Sequence, residues 1–110
     1  MISRHWKGIA KHDCADRYIR HLQEETLPEL ASFTGFVAAS ILRREMATGI
    51  EFQVVTTWDS LRSIEAFAGT DVGTAVVPSS VQAMMVEYER RVAHYEIAYT
   101  TADRSEENPP

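Results

Sequence analysis

The stretch FQVVTTWDSLRSIEAFAG, from Phe52 to Gly69, changes its period in the middle. Up to Trp58 it is a run of aromatic and β-branched residues, the composition of a strand. From Asp59 onward Leu61, Ile64, Phe67 and Ala68 recur with helical spacing, Asp59 or Ser60 supplies an N-cap, and Gly69 is the C-terminal stop. Trp58 at the junction is either the wall of a binding site or a plug between strand and helix. A large aromatic at such a handover packs the base of the helix, and its indole N–H then needs a nearby carbonyl.

The same periodicities divide the rest of the chain. Residues 2–10 read as a first strand of mixed polarity, and Asp13 as the N-cap of a helix with Asp16 in its first turn. Tyr18, Ile19, Leu22, Thr26 and Leu30 form that helix's apolar stripe. Pro28 has no N–H to donate and is expected to kink or end it. Gly35 opens a second strand that runs to about Arg44, and EMATGI is a turn in which Gly49 can take positive φ. Glu51 to Trp58 is the third strand, so residues 36–58 form a hairpin. After the connector TDVGTAVVP, Ser79 to Gln82 fits a capping box and starts a short helix containing Met84, Met85 and Tyr88. Arg91 to Thr100 is the last strand, which bounds a domain over residues 1–100. TADRSEENPP, residues 101–110, has almost no apolar content and is expected to be a disordered tail.

The order β-α-β-β-α-β predicts a ferredoxin-like α+β fold: a four-stranded antiparallel sheet with helices on one face and the first and third strands central. The inner hairpin is apolar on both sides. Phe52, Val54 and Trp58 face one way and Val55 and Thr57 the other; Phe36 and Leu42 oppose Val37 and Ile41. Two short helices cover one face only, so the pattern predicts a homodimer that covers the second.

A length of 110 residues with 45% hydrophobic and 25% charged residues allows one modest core. The net charge of −5 and the scattered basic residues argue against nucleic acid as a partner. The lone Cys14 forms no intramolecular disulfide, no apolar run reaches the ~18–20 residues of a membrane span, and MISRHWKG lacks a signal-peptide core. A cytoplasmic protein without a membrane partner is expected.

With these elements placed, the chain resembles the antibiotic biosynthesis monooxygenase family of dimeric α+β barrels. The resemblance rests on Arg4-x-Trp6-x-Gly8 in the first strand, WDSLRSIEAFAGTDV from Trp58 to Val72, and VAHYEIAY from Val92 to Tyr99. It spans roughly residues 1–100 in order. It implies a ligand cavity between the sheet and its helices, and in cofactor-free members the oxidation of activated phenolic, polyketide-derived substrates. Haem-degrading members use an asparagine, a tryptophan and a histidine, whose positions fall here at about Trp6, Phe67 and Val77. All three are replaced, and valine cannot ligate iron, which disfavours haem degradation.

Cofactor-free oxygenation needs a base, a cation or donor that holds the resulting anion, and a dry pocket. The candidates are His94 as base, Arg4 as anion holder, and Trp6, Trp58 and Phe67 as substrate-binding walls. Each has an alternative. His94 and Glu96 lie two apart on a strand and could form a solvated pair; Arg4 could pair with Glu96 across neighbouring strands; Trp6 could fill the core. His12 and His21 are nine apart, which is no metal-ligand pair on a helix, and no flavin, nicotinamide or phosphate-loop motif is present. The expectation is a monooxygenase without metal or organic cofactor, acting on a small aromatic or polyketide-like molecule. The alternatives are a non-catalytic ligand-binding or stress-associated domain on the same fold, and isomerase or lyase chemistry with the same base.

Overall fold

The structure, a computed structural model, describes residues 1–101. The expected tail therefore lies, apart from Thr101, outside the described residues. Strand β1 (Ile2–Ala10) runs through the middle of the sheet. Along one edge it pairs antiparallel with β3 (Gly49–Trp58) over its whole length, from Ile2 opposite Trp58 to Ala10 opposite Ile50. Strand β2 (Phe36–Met46) continues the sheet beyond β3. The other edge of β1 carries two short strands, β4 (Met85–Tyr88) opposite Gly8 to Ala10 and β5 (Ala93–Glu96) opposite Ile2 to His5. The antiparallel α+β fold with central first and third strands is the one expected.

The last strand, expected over Arg91 to Thr100, is confined to Ala93–Glu96, and a separate strand, β4, precedes it where a helix was expected. Glu89 N–H still donates to Lys7 O of β1, but at residues 90–92 the backbone turns to the connector: Ala75 N–H donates to Arg90 O, Val92 N–H donates to Gly73 O, and Thr74 bridges Arg91. Met84, Met85 and Tyr88 are not helical. Helix α4 (Ser79–Gln82) is a single turn, and the ladder to Gly8–Ala10 claims the residues after it. No capping box forms either. Pro78 is the N-cap, and the Gln82 amide donates to the Val77 carbonyl at 2.9 Å.

The first helical segment survives its proline. A 3₁₀ turn (His12–Cys14), α1 (Ala15–His21), a π turn (Leu22–Thr26) and α2 (Leu27–Ala31) follow without a gap. The wide π turn falls just upstream of Pro28, which then sits at the start of α2, where a missing N–H is tolerated. Asp13 is inside the 3₁₀ turn and makes no cap; Cys14 occupies the N-cap of α1. Helix α3 (Leu61–Ala68) starts as expected: the Ser60 hydroxyl accepts the Ser63 N–H, and Gly69 closes it at φ 91°.

Two features of the hairpin depart from the sequence pattern. Gly49 does not adopt positive φ; a Cβ there would lie 2.3 Å from the Ala10 carbonyl, so close approach of the chains requires the glycine. A bulge between Phe36 and Ala38 also shifts the register of β2. Phe36 opposite Trp58 and Ile41 opposite Val54 face the helices together, and Leu42, opposite Gln53, faces the uncovered side. The expected pairing of Phe36 with Leu42 on one face is thereby corrected.

The helix-covered face holds two buried clusters. One gathers Ala10, Tyr18, Leu22, Ile50, Phe52, Val81, Met84 and Met85 at one end of β1. The other gathers Leu30, Trp58 and Ile64, with Phe33, Phe36 and Phe67 packed against them. No helix of the described residues is long and apolar enough to cross a membrane.

Candidate functional site

Between the two clusters the layers stand apart. Arg4 and Trp6 of β1 lie opposite Thr56 and Val54 of β3, all on the helix-facing side. Above them pass Tyr18, Leu22, Thr26 and Leu30, a one-per-turn row of the first helical segment. Phe67 of α3 closes one end, and Val76, Val77 and Pro78 of the connector close the other. The cavity, open to solvent on one side, has a volume of about 110 Å³ and walls that are mostly apolar. Gly8 shapes one side: a Cβ there would lie 2.5 Å from Trp6 Cη2, so the indole lies over the glycine. The Trp6 indole N–H donates to the Glu89 carbonyl at 2.9 Å, between β4 and β5.

Arg4 is the charged group of the buried wall. Only 5% of it is exposed. Its Nη1 donates to the Val72 carbonyl at 2.6 Å and to His94 Nε2 at 2.9 Å, and its Nη2 donates to the Thr74 carbonyl at 3.0 Å. The guanidinium also lies over the Phe67 ring, 5.7 Å from its centre. Among the described residues no carboxylate forms an ion pair with it. Glu96, the partner considered from sequence, lies opposite Ile2 rather than Arg4. Burial pulls the arginine pKa down to about 10, so it is still a cation at neutral pH.

His94 lies opposite Arg4 on β5 and outside the cavity lining. An arginine can only donate, so His94 Nε2 must accept, and the imidazole is the neutral Nδ1–H tautomer. Burial first, then the charges of Arg4 and His5, hold its pKa below the ordinary value. Trp58 is also outside the lining. It is fully buried, stacked on Phe67 at 6.0 Å and edge-on to Phe36 at 5.3 Å. Its N–H goes to the Thr56 hydroxyl at 2.9 Å, a hydroxyl where a carbonyl was expected. Of the five residues singled out by sequence, the structure thus brings Arg4, Trp6 and Phe67 to the cavity, with His94 and Trp58 behind its wall.

Among the lining residues that the sequence did not place at the site, Tyr18 and Thr56 bring hydroxyls to the sheet end of the cavity. Tyr18 is 3% exposed, yet its hydroxyl has no hydrogen-bond partner among the described residues. Burial raises its pKa, so it stays protonated. The only signal for it was a phenol within an otherwise apolar helical stripe.

No protein-family profile matches the chain, and no curated protein matches it. Solved structures do match. A proposed antibiotic biosynthesis monooxygenase from Bacillus cereus superposes with a TM-score of 0.62 at 15% identity, over 90% of this chain and 94% of that one. Another from Deinococcus radiodurans gives 0.63 at 13% identity, over 91% and 95%. The haem degrader MhuD from Mycobacterium tuberculosis, with two haems bound in its active site, gives 0.57 at 16% identity, over 91% and 98%. The chain therefore has the α+β fold of the antibiotic biosynthesis monooxygenases.

Haem does not fit the residues present. The position expected for an iron-ligating histidine is Val77, which lines the cavity as an apolar side chain. The Nε2 lone pair of His94 is engaged by Arg4. The cavity, at about 110 Å³, is well below the roughly 300–1,000 Å³ of sites for drug-sized ligands. Among the described residues no group of histidine, cysteine or carboxylate side chains could hold a metal ion.

Proposed function

We propose that the protein is a small monooxygenase that works without metal or organic cofactor on an aromatic or polyketide-like substrate. The observation that carries this reading is a mostly apolar, aromatic-walled cavity with a buried arginine that has no carboxylate partner among the described residues. A phenolate or enolate is electron-rich enough to reduce dioxygen, and a fixed cation in a low-dielectric site stabilises it without reorganising. In this reading Arg4 holds the anion, Trp6 and the edge of Phe67 wall the ring, and His94 orients Arg4 by accepting its hydrogen bond. Oxygen consumption with single-ring quinol-type compounds, the size that a cavity of about 110 Å³ admits, tests it first, and tricyclic hydroxyanthrones then test whether the site opens wider. Turnover should persist after exhaustive chelation and without added flavin, and Arg4→Gln should lower it by roughly 10²–10³-fold.

A non-catalytic ligand-binding domain is the second reading. It is favoured by the position of His94, since no imidazole lines the cavity. Micromolar binding without turnover across such a panel would decide for it. Either reading is set in a homodimer, for which the support is the uncovered sheet face with half-exposed Leu42 and Tyr95. Sedimentation at micromolar concentration that showed only a 12.4 kDa species would sink the dimer.

A further inference from the structure

We infer that the cavity takes its ligand as a small aromatic monoanion, a carboxylate or a phenolate, seated on the free N–H groups of Arg4 and the hydroxyl of Tyr18; this rests on the cavity being a ligand site. The first argument is charge. The groups around the guanidinium are two backbone carbonyls and a neutral imidazole, all dipoles and none an anion. An ion held in the interior without a counter-charge is unfavourable by several kcal/mol, and a ligand anion removes that cost. Glu29 is the one carboxylate on the lining, and it is exposed at the rim, where solvent screens it.

The second argument is the balance of donors and acceptors. A guanidinium has five N–H groups, and three of these are engaged. Nε–H and one N–H of Nη2 have no acceptor among the described residues. The Tyr18 hydroxyl is in the same position. Among the described residues no sealed side-chain nitrogen or oxygen lacks a partner, so Arg4 Nε and the Tyr18 hydroxyl keep solvent contact, and the cavity that both residues line is the space they share. Thr56 adds a hydroxyl whose oxygen already accepts from Trp58. The acceptors around the guanidinium, by contrast, are engaged: Val72, Thr74 and His94 Nε2 by Arg4 itself, and Glu89 by Trp6. At this end of the cavity the open groups are donors, while the Glu29 carboxylate stands at the exposed rim, so the buried end favours an acceptor ligand.

Size and charge narrow the class. A cavity of about 110 Å³ suits one ring bearing one ionised group. A single cation matches a single negative charge, so a dianion such as a phosphate monoester would be left half-compensated. The aromatic walls favour a flat body over an aliphatic acid.

The test is isothermal titration calorimetry with two matched pairs, benzoate against benzamide and 4-nitrophenolate against 4-nitroanisole. Each anion should bind at least about tenfold more tightly than its neutral partner, the scale of a hydrogen bond to a charged group. Tyr18→Phe keeps the ring packing and should weaken the anions by about tenfold while leaving benzamide and 4-nitroanisole unchanged. This variant also guards against Arg4→Gln failing to fold, since Arg4 anchors the connector. Equal affinities within both pairs would overturn the monoanion inference and leave the ligand-site reading standing. Binding of none of the four would overturn both. An unchanged preference in Tyr18→Phe would overturn the placement of the anion on that hydroxyl.

Discussion

Trp58 and Trp6 both project from the helix-covered face of the sheet, one at the end of β3 and the other in the middle of β1. Trp58 lies where α3 folds back on the strand after a two-residue link, so the indole fills the whole gap and is fully buried. Trp6 faces the place where the neighbouring strand is interrupted between β4 and β5. There the chain leaves a hollow, and the indole lines it, tilted toward Tyr18 at 6.3 Å. Phe67 belongs to both places, stacked on Trp58 and under the guanidinium of Arg4. The difference teaches that a large aromatic becomes a wall rather than a plug when backbone hydrogen bonding nearby is diverted elsewhere.

The contrast can be broken by truncation. Trp58→Ala should destabilise the fold by about 3–5 kcal/mol in chemical denaturation, the usual range for a large aromatic removed from a core. Trp6→Ala, already beside a cavity, should cost less than half as much. Equal losses would mean that the two sites are packed alike.

Gly8→Ala sharpens it next. The added Cβ would lie 2.5 Å from Trp6 Cη2, so the indole must move into the cavity. The expected cost is about 1–3 kcal/mol, the range for overpacking. It should come with a shifted tryptophan emission and weakened ligand binding, and stability loss alone would show that the ring does not move into the site.

A smaller effect concerns pH. The His94 pKa is lowered from 6.5 by burial, Arg4 and His5, so the unfolded chain binds this proton more readily than the folded one. Its contribution to stability is complete above pH 6.5 and is lost as pH falls through the lowered value. Protonation also ends the hydrogen bond that Nε2 accepts from Arg4. Denaturation midpoints should therefore fall on acidification below pH 6.5, more steeply for the wild type than for His94→Gln. Parallel curves would remove His94 from that role.

The smallest effect is expected on the uncovered face, where Arg44 bonds Glu51 at 2.8 Å with most of its side chain exposed. In dilute, monomeric protein Arg44→Ala should barely change the melting temperature, because a pair with an exposed partner contributes little. At concentrations where the dimer forms the loss should be larger, and an equal, negligible loss at both concentrations would show that no partner covers this face.

Much of this was legible in local pattern. The strand-to-helix change at Trp58, the Ser60 cap, the Gly69 stop and the hairpin depend on residues within a few positions of one another, so period and turn chemistry suffice. Aromatic content and the resemblance pointed to Arg4, Trp6 and Phe67 for the same reason. Less legible were properties that depend on partners distant along the chain. Residues 73–75 capture the backbone of residues 90–92 and separate β4 from β5, which no local pattern announces. A one-residue bulge turns Leu42 away from Phe36, because side chains alternate with a period of two.

The amino-acid order alone determined the first strand, the hairpin, the start and stop of α3 and the aromatic plug between β3 and α3. Tertiary structure decided that, among the described residues, the Tyr18 hydroxyl makes no hydrogen bond, that Arg4 has two carbonyls and an imidazole around it but no carboxylate, and that His94 stands behind it. Periodicity records which face a side chain takes. Whether that side chain is then charged, free or already bonded depends on what the rest of the chain brings opposite it.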